Sequence, residues 1–279
     1  MKFEPKRESS ESIPRIRYQR DLPFQDIEVI VVDNGSSDPP TIEDLARPGL
    51  SVAVHRFCSP TVSPVAAMNF GLKQARGDIM AAMIDGARMA SRGLVRAALA
   101  AVALHPRAVV ASYNYHLGPK PQHESIKDGY TKAVEDALLA SIDWPTGGGR
   151  LFEIACCGHC EGWPGPLIES NALFMRRDMW EELGYYETRF KSPGGGAANP
   201  DLFARACALP DAQLVKLIGE ATFHQIHGGT IANMEKRDAL KLLLLEYAKI
   251  RKRRLAPVEQ PAWLYDSRTG TVTRQSGMK

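Results

Sequence analysis

The sequence lacks any apolar run of the roughly 18–20 residues that a membrane-spanning helix needs. Its first twenty residues are charged and Ser-rich and contain no apolar core, which argues against a secretion signal. Internal repeats and low-complexity blocks are absent, which argues against a solenoid or a compositionally disordered chain. No Pro/Gly/Ser-rich linker divides the 279 residues, so one large α/β domain with a tail is expected. Cysteine is scarce, at five residues; with no export signal, the expected location is cytoplasmic and the thiols should be mostly reduced. An excess of one charge is also missing, the net being only +3, and what excess exists is local. Residues 1–20 carry six Lys/Arg against three Glu, and residues 237–254 carry seven against two acids, whereas residues 21–236 carry 19 against 25. An acidic body with basic ends excludes a nucleic-acid-binding face spread over the fold.

What is present is an alternation of strands and helices. Glu28 to Val32 is a continuous β-branched run ending in Asp33-Asn34-Gly35-Ser36-Ser37-Asp38, which reads as a buried parallel strand opening onto a turn. Helical stretches are expected near Thr41 to Ala46, Val65 to Ala75, Arg92 to Leu104 and Glu124 to Ile142. Further strands are expected near Val52 to Val54, Ile79 to Ile84 and Val109 to Tyr115. The second half is less regular, with strands near Ala172 to Met175 and Leu214 to Ile218, and helices from Arg177 to Leu183 and Asp201 to Ala208. A long helix from Glu235 to Arg253 follows, and the last 25 residues read as weakly structured. Such an alternation implies a mostly parallel sheet flanked by helices, with ligands beyond the carboxyl ends of the strands. Asp33 and Asp85 lie at such ends.

Several segments, in this order, resemble the family 2 glycosyltransferases. Ile27-Glu28-Val29-Ile30-Val31-Val32-Asp33-Asn34-Gly35-Ser36-Ser37-Asp38 looks like the family's second strand and Asp-rich turn. Asn69-Phe70-Gly71-Leu72 with Ala75-Arg76-Gly77-Asp78 is similar to its donor-side helix and turn, and Ile84-Asp85-Gly86-Ala87 stands where the family carries Asp-x-Asp. Ala172 to Arg177, Trp180 to Tyr185, and Asp201-Leu202 with Arg205 match later blocks. The resemblance spans roughly residues 25–230. It implies a GT-A-like, Rossmann-type α/β fold with a basic C-terminal helix: residues 1–26 as an extension or truncated start, 27–234 as the transferase domain, 235–279 as helix and tail. It also implies transfer of a sugar, with inversion, from a nucleoside-diphosphate sugar to a hydroxyl on a glycan or lipid-linked acceptor. Asp33, Asn69, Arg76 and Asp85 are then the candidate donor contacts. Mn or Mg would be held by Asp85 and His224, since diphosphate departure calls for a hard cation on oxygen ligands, sometimes with a His.

Departures from the pattern bear on the chemistry. Ala87 replaces the second Asp of Asp-x-Asp, and the family's Glu-Asp pair falls on Ala198 and Asn199. An amide is not a general base near neutral pH, which leaves Asp201 and Glu169 as candidate bases. Residues 1–26 contain no apolar strand of the kind that opens the family's fold. These departures motivate an alternative, a non-catalytic nucleotide-sugar or glycan-binding protein on the same scaffold. Asp33 and Asp85 also have a purely structural reading as turn or helix caps. Cys156-Cys157-Gly158-His159-Cys160 invites a zinc or redox reading, but no second ligand pair accompanies it, and a small-residue loop bordering the cleft is the simpler expectation. A Cys157–Cys160 disulfide is disfavoured by the expected compartment. The Leu-rich helix ending in Arg251-Lys252-Arg253-Arg254 suits peripheral contact with anionic lipid, against the favoured reading of a core-packed helix whose cations complement its own dipole.

Overall fold

The β-branched run forms strand β1, Glu28–Asp33, paired in parallel with β2, Ser51–Arg56. The link between them carries helix α1, Ile42–Leu45, started by a reciprocal cap in which Thr41 accepts from the Asp44 backbone and the Asp44 carboxylate accepts from the Thr41 backbone at 2.8 Å. This computed structural model describes residues 18–83, 88–146, 148–158, 164–226 and 236–275. Among them no strand precedes β1; residues 18–26 contribute one turn of 3₁₀ helix, Phe24–Asp26.

β1 and β2 form a two-stranded sheet of their own. Helix α2, Val65–Gln74, packs on β1 and also touches strand β3, Ile79–Met83. Gly71 permits the approach, since a Cβ there would come within 3.0 Å of Val32 Cγ2. Val29 to Val32 are only half-buried, contrary to the expectation of a buried strand, because β1 has a strand neighbour on one side only.

The main sheet adds β4 (Arg88–Ala90), β5 (Ala108–Leu117), β6 (Ala155–Cys157), β7 (Ala172–Arg176), β8 (Gln213–His224), β9 (Ala262–Asp266) and β10 (Val272–Gln275) to β3. Its order is β10-β9-β8-β5-β7-β3, with β4 on β8 and β6 on β5. The central strands β5, β8 and β9 run parallel, and the flanking pairings are antiparallel. Alternation along β5 feeds two helix layers. Ala108 and Val110 join helix α3, Leu94–Val102, through Leu94, Ala97, Ala98 and Ala101. Val109, Ala111 and Tyr113 join the larger cluster around Trp180, Phe190, Phe203 and Tyr247. That cluster is built by α6 (Arg177–Leu183), α7 (Ala198–Cys207) and α8 (Lys236–Arg251), which follow α4 and α5 in the chain.

Two expectations are corrected. The helix expected from Glu124 to Ile142 is two helices, α4 (Gln122–Ser125) and α5 (Lys132–Ser141). Gly129 takes a φ of 85° between them, a left-handed conformation that ends the first, and Thr131 caps the second. The tail expected to be weakly structured instead forms β9 and β10, which extend the sheet from β8. The apolar and aromatic run Ala262-Trp263-Leu264-Tyr265 followed by a Gly270 turn carries that hairpin.

Candidate functional site

Asp33, the last residue of β1, is buried, and its carboxylate accepts from the backbone N–H groups of Ser36 (3.0 Å) and Gly35 (3.4 Å). It fixes the turn that the sequence places there. Asn34 joins that turn to the 61–64 segment, donating to Thr61 O at 2.7 Å and accepting from Thr61 N at 3.2 Å. The segment is tied in turn to the stretch beyond α6, through Ser63 Oγ to Phe190 O and Gly194 N to Val62 O. Asn69 spends its amide on the Tyr186 backbone, donating to O at 2.9 Å and accepting from N at 3.0 Å. Tyr186 then donates to Asn199 Oδ1 at 3.0 Å, and Asn199 donates to Asn171 Oδ1 at 3.1 Å.

Arg76 is not brought to Asp33. Its backbone and guanidinium bind Glu28 at the amino end of β1, five residues and about 17 Å of strand from Asp33. Burial pushes the Glu28 carboxyl up, but the Arg76 and Gly77 hydrogen bonds outweigh it and hold the group below the usual carboxylate range. A cavity of about 260 Å³ lies beside this pair, between the amino-terminal half of the two-stranded sheet and the end of α2.

At the carboxyl ends of β5 and β8 the register aligns four side chains across the sheet: Cys156 opposite His116, His116 opposite His224, and His224 opposite Arg88. Register partners project from the same face, and the two imidazole rings lie 5.2 Å apart. Arg88 donates to Asn114 Oδ1 at 2.7 Å. Beyond His224 the chain is held by buried Glu135 of α5, which accepts from the Ile226 N–H at 2.8 Å and from Gln225 Nε2 at 3.3 Å. Asp85 lies outside the described residues, in the link from β3 to β4. Sequence reasoning missed His116 and Arg88, because cross-strand register leaves no local signal.

The two candidate bases differ in environment. Asp201 is 1% exposed and fully engaged: Arg205 donates to Oδ2 at 2.9 Å, and Arg251 binds both oxygens, with Nη2 at 2.7 Å from Oδ2. Glu169 is half-buried and makes no hydrogen bond or ion pair among the described residues. It lies close enough to Tyr186 that its charge, after burial, contributes to raising that phenol. Two residues on, buried Asn171 Nδ2 has no hydrogen-bond partner among the described residues.

The cysteine cluster also departs from expectation. Cys157 is disulfide-bonded, while Cys58, Cys156 and Cys207 are free. Cys160, the partner considered from sequence, lies outside the described residues. No group of three or more His, Cys, Asp or Glu side chains converges as a metal site among the described residues.

A sheet with parallel central strands between two helix layers, carrying polar groups at its carboxyl end, is an α/β architecture of the GT-A type. The model for glycosyl transferase family 2 matches residues 10–154, just over half of the chain, and the protein belongs to that family. Two solved structures of S. aureus TarS (1–349) are similar in fold. The complex with UDP has 17% identity and a TM-score of 0.54, over 88% of this chain and 64% of that one. The complex with UDP-GlcNAc has 16% identity and a TM-score of 0.56, over 86% and 63%. The chain thus spans just under two thirds of the length of these structures. No curated protein matches the sequence.

Proposed function

We propose that the protein is a glycosyltransferase that takes a sugar from a nucleoside-diphosphate donor and passes it, with inversion, to a hydroxyl of a glycan or lipid-linked acceptor. The family match carries this reading, because it covers both Asp33 and Asp85. The TarS structures hold UDP and UDP-GlcNAc, so uridine nucleotides are the first donors to test. Asp33 and Asp85 would meet the nucleotide, with the 61–64 turn and Asn69 setting the wall behind it. Arg76, at the far end of β1, would contribute only to the fold.

Asp85 and His224, the carboxylate and imidazole that the family resemblance points to, would serve a divalent cation whose remaining ligands come from the diphosphate and water. Mn or Mg held there would neutralise charge on the departing diphosphate. His116 would flank His224, and Glu135 would hold the strand end that carries it. Glu169 is the better candidate base: its carboxylate is unengaged among the described residues, whereas Asp201 is bound by two guanidinium groups. Glu169 would accept the acceptor hydroxyl's proton as the oxygen attacks the anomeric carbon.

The second reading is a nucleotide-sugar-binding protein without turnover. It is favoured by Asn199, whose amide is committed to Tyr186 and Asn171 where the family pattern has an acid. Thermal unfolding with nucleoside diphosphates, with and without Mn, tests the donor site. At about hundredfold excess over Kd, ligand should add 2–3 kcal/mol, and Asp85→Ala should remove the Mn-dependent part. Donor turnover separates the two readings: binding without hydrolysis or transfer across donors and acceptors would leave only the second.

A further inference from the structure

Helix α8 presents two unlike faces. At about 100° per residue, Leu243, Glu246, Tyr247, Ile250 and Arg251 share the arc that meets the domain. Tyr247 is buried, and Leu243 and Ile250 pack on the main core. Two polar clamps fix the helix in rotation: Glu246 Oε1 accepts from the Lys191 and Ser192 N–H groups at 2.8 and 3.0 Å, and Arg251 is bound by Asp201. The helix therefore cannot roll to hide its opposite arc, which carries Leu242, Leu244 and Leu245 at 43%, 40% and 59% exposure beside exposed Lys241 and Lys249. Lys252, Arg253 and Arg254 continue the chain and are all exposed. The only acid between residues 241 and 254 is Glu246, and it is turned inward.

We propose that this outward face of α8 is a membrane-contact surface that seats the protein on a bilayer containing anionic lipid. Leucines on an arc flanked by cations are the composition of a helix that lies in the interface, with its apolar side chains at the acyl boundary and its cations among the headgroups. No helix among the described residues is long and apolar enough to cross a bilayer, so the contact is peripheral. A second copy of the chain is a poor occupant. Cations sit at both ends of the leucine patch, so parallel and antiparallel self-packing both set like charges against each other. The proposal stands apart from the transferase reading and uses none of its residues.

The test is co-sedimentation of the full chain with vesicles of phosphatidylcholine alone, and of phosphatidylcholine with one third phosphatidylglycerol. Binding should be confined largely to the anionic vesicles and should weaken with added salt. Lys249→Glu with Arg253→Glu should lower it by more than roughly tenfold, and Leu245→Gln should lower it too. Neither variant should change the melting temperature, since these side chains face away from the core. Three results would each overturn the proposal: equal binding to neutral and anionic vesicles, no vesicle binding, or a light-scattering dimer that Leu245→Gln dissolves.

Discussion

Asp201 and Glu169 can be ranked only once their surroundings are known. Both are carboxylates left as candidates once Asn199 is set aside, and sequence alone allows either one a chemical role. The partner that engages Asp201 most closely, Arg251, is fifty residues away, and nothing near Asp201 announces it. Removing one member of a buried ion pair strands the others, so Asp201→Asn should destabilise the fold by about 3–5 kcal/mol, measured by denaturant unfolding. Glu169→Gln should leave stability within about 0.5 kcal/mol, as expected where no contact is lost. It should lower kcat by about 10²–10⁴ while nucleotide binding persists. Full activity in Glu169→Gln would end its candidacy. Asp33 was more legible, because a β-branched run ending in Asp-Asn-Gly specifies both the strand end and its turn. His116 was not, since its place beside His224 exists only through the pairing of β5 with β8.

At the scale of elements, the long periodic segments were readable and the joints were not. α3, α6, β5 and β7 lie where apolar periodicity put them, whereas the α4–α5 break depends on a single glycine and one cap. The attachment of α8 to α7 and to the 185–189 turn is likewise invisible in sequence, and it has a measurable signature. Glu187 contacts Arg189 at 2.6 Å and Arg251 at 3.3 Å. The Arg189 hydrogen bond outweighs burial and depresses its pKa from 4.5 to about 2. A depressed folded-state pKa adds stability that is fully present above the unfolded value and is lost as pH falls through the folded one. Melting temperature should therefore fall between pH 4.5 and 2, and Glu187→Gln should remove that part of the slope while leaving the curve near neutrality parallel to the wild type. An unchanged acid limb would show that the pair adds nothing to folding.

For the molecule as a whole, the sequence identified an α/β fold but not the division of its strands into two sheets. The main sheet is crossed by pairings and covered on both faces. The β1–β2 pair has one strand partner apiece and meets the rest mainly through α2 and the Asn34–Thr61 hydrogen bonds. Strands with so few neighbours open at lower free energy than a central ladder. Amide exchange over residues 28–56 should therefore outpace that over β5 and β8, and a nucleoside diphosphate should slow it selectively. Equal protection in both sheets without ligand would contradict this.

On the proposed donor site, Asp33, at the end of that lightly anchored pair, would do more than accept a ligand. If the pair is well ordered in only a fraction of molecules, the apparent dissociation constant rises by the inverse of that fraction. Part of the donor's binding energy would then go into holding β1 and β2 in place. A substitution that stiffens the contact between α2 and β1 would then tighten nucleotide binding without touching the nucleotide.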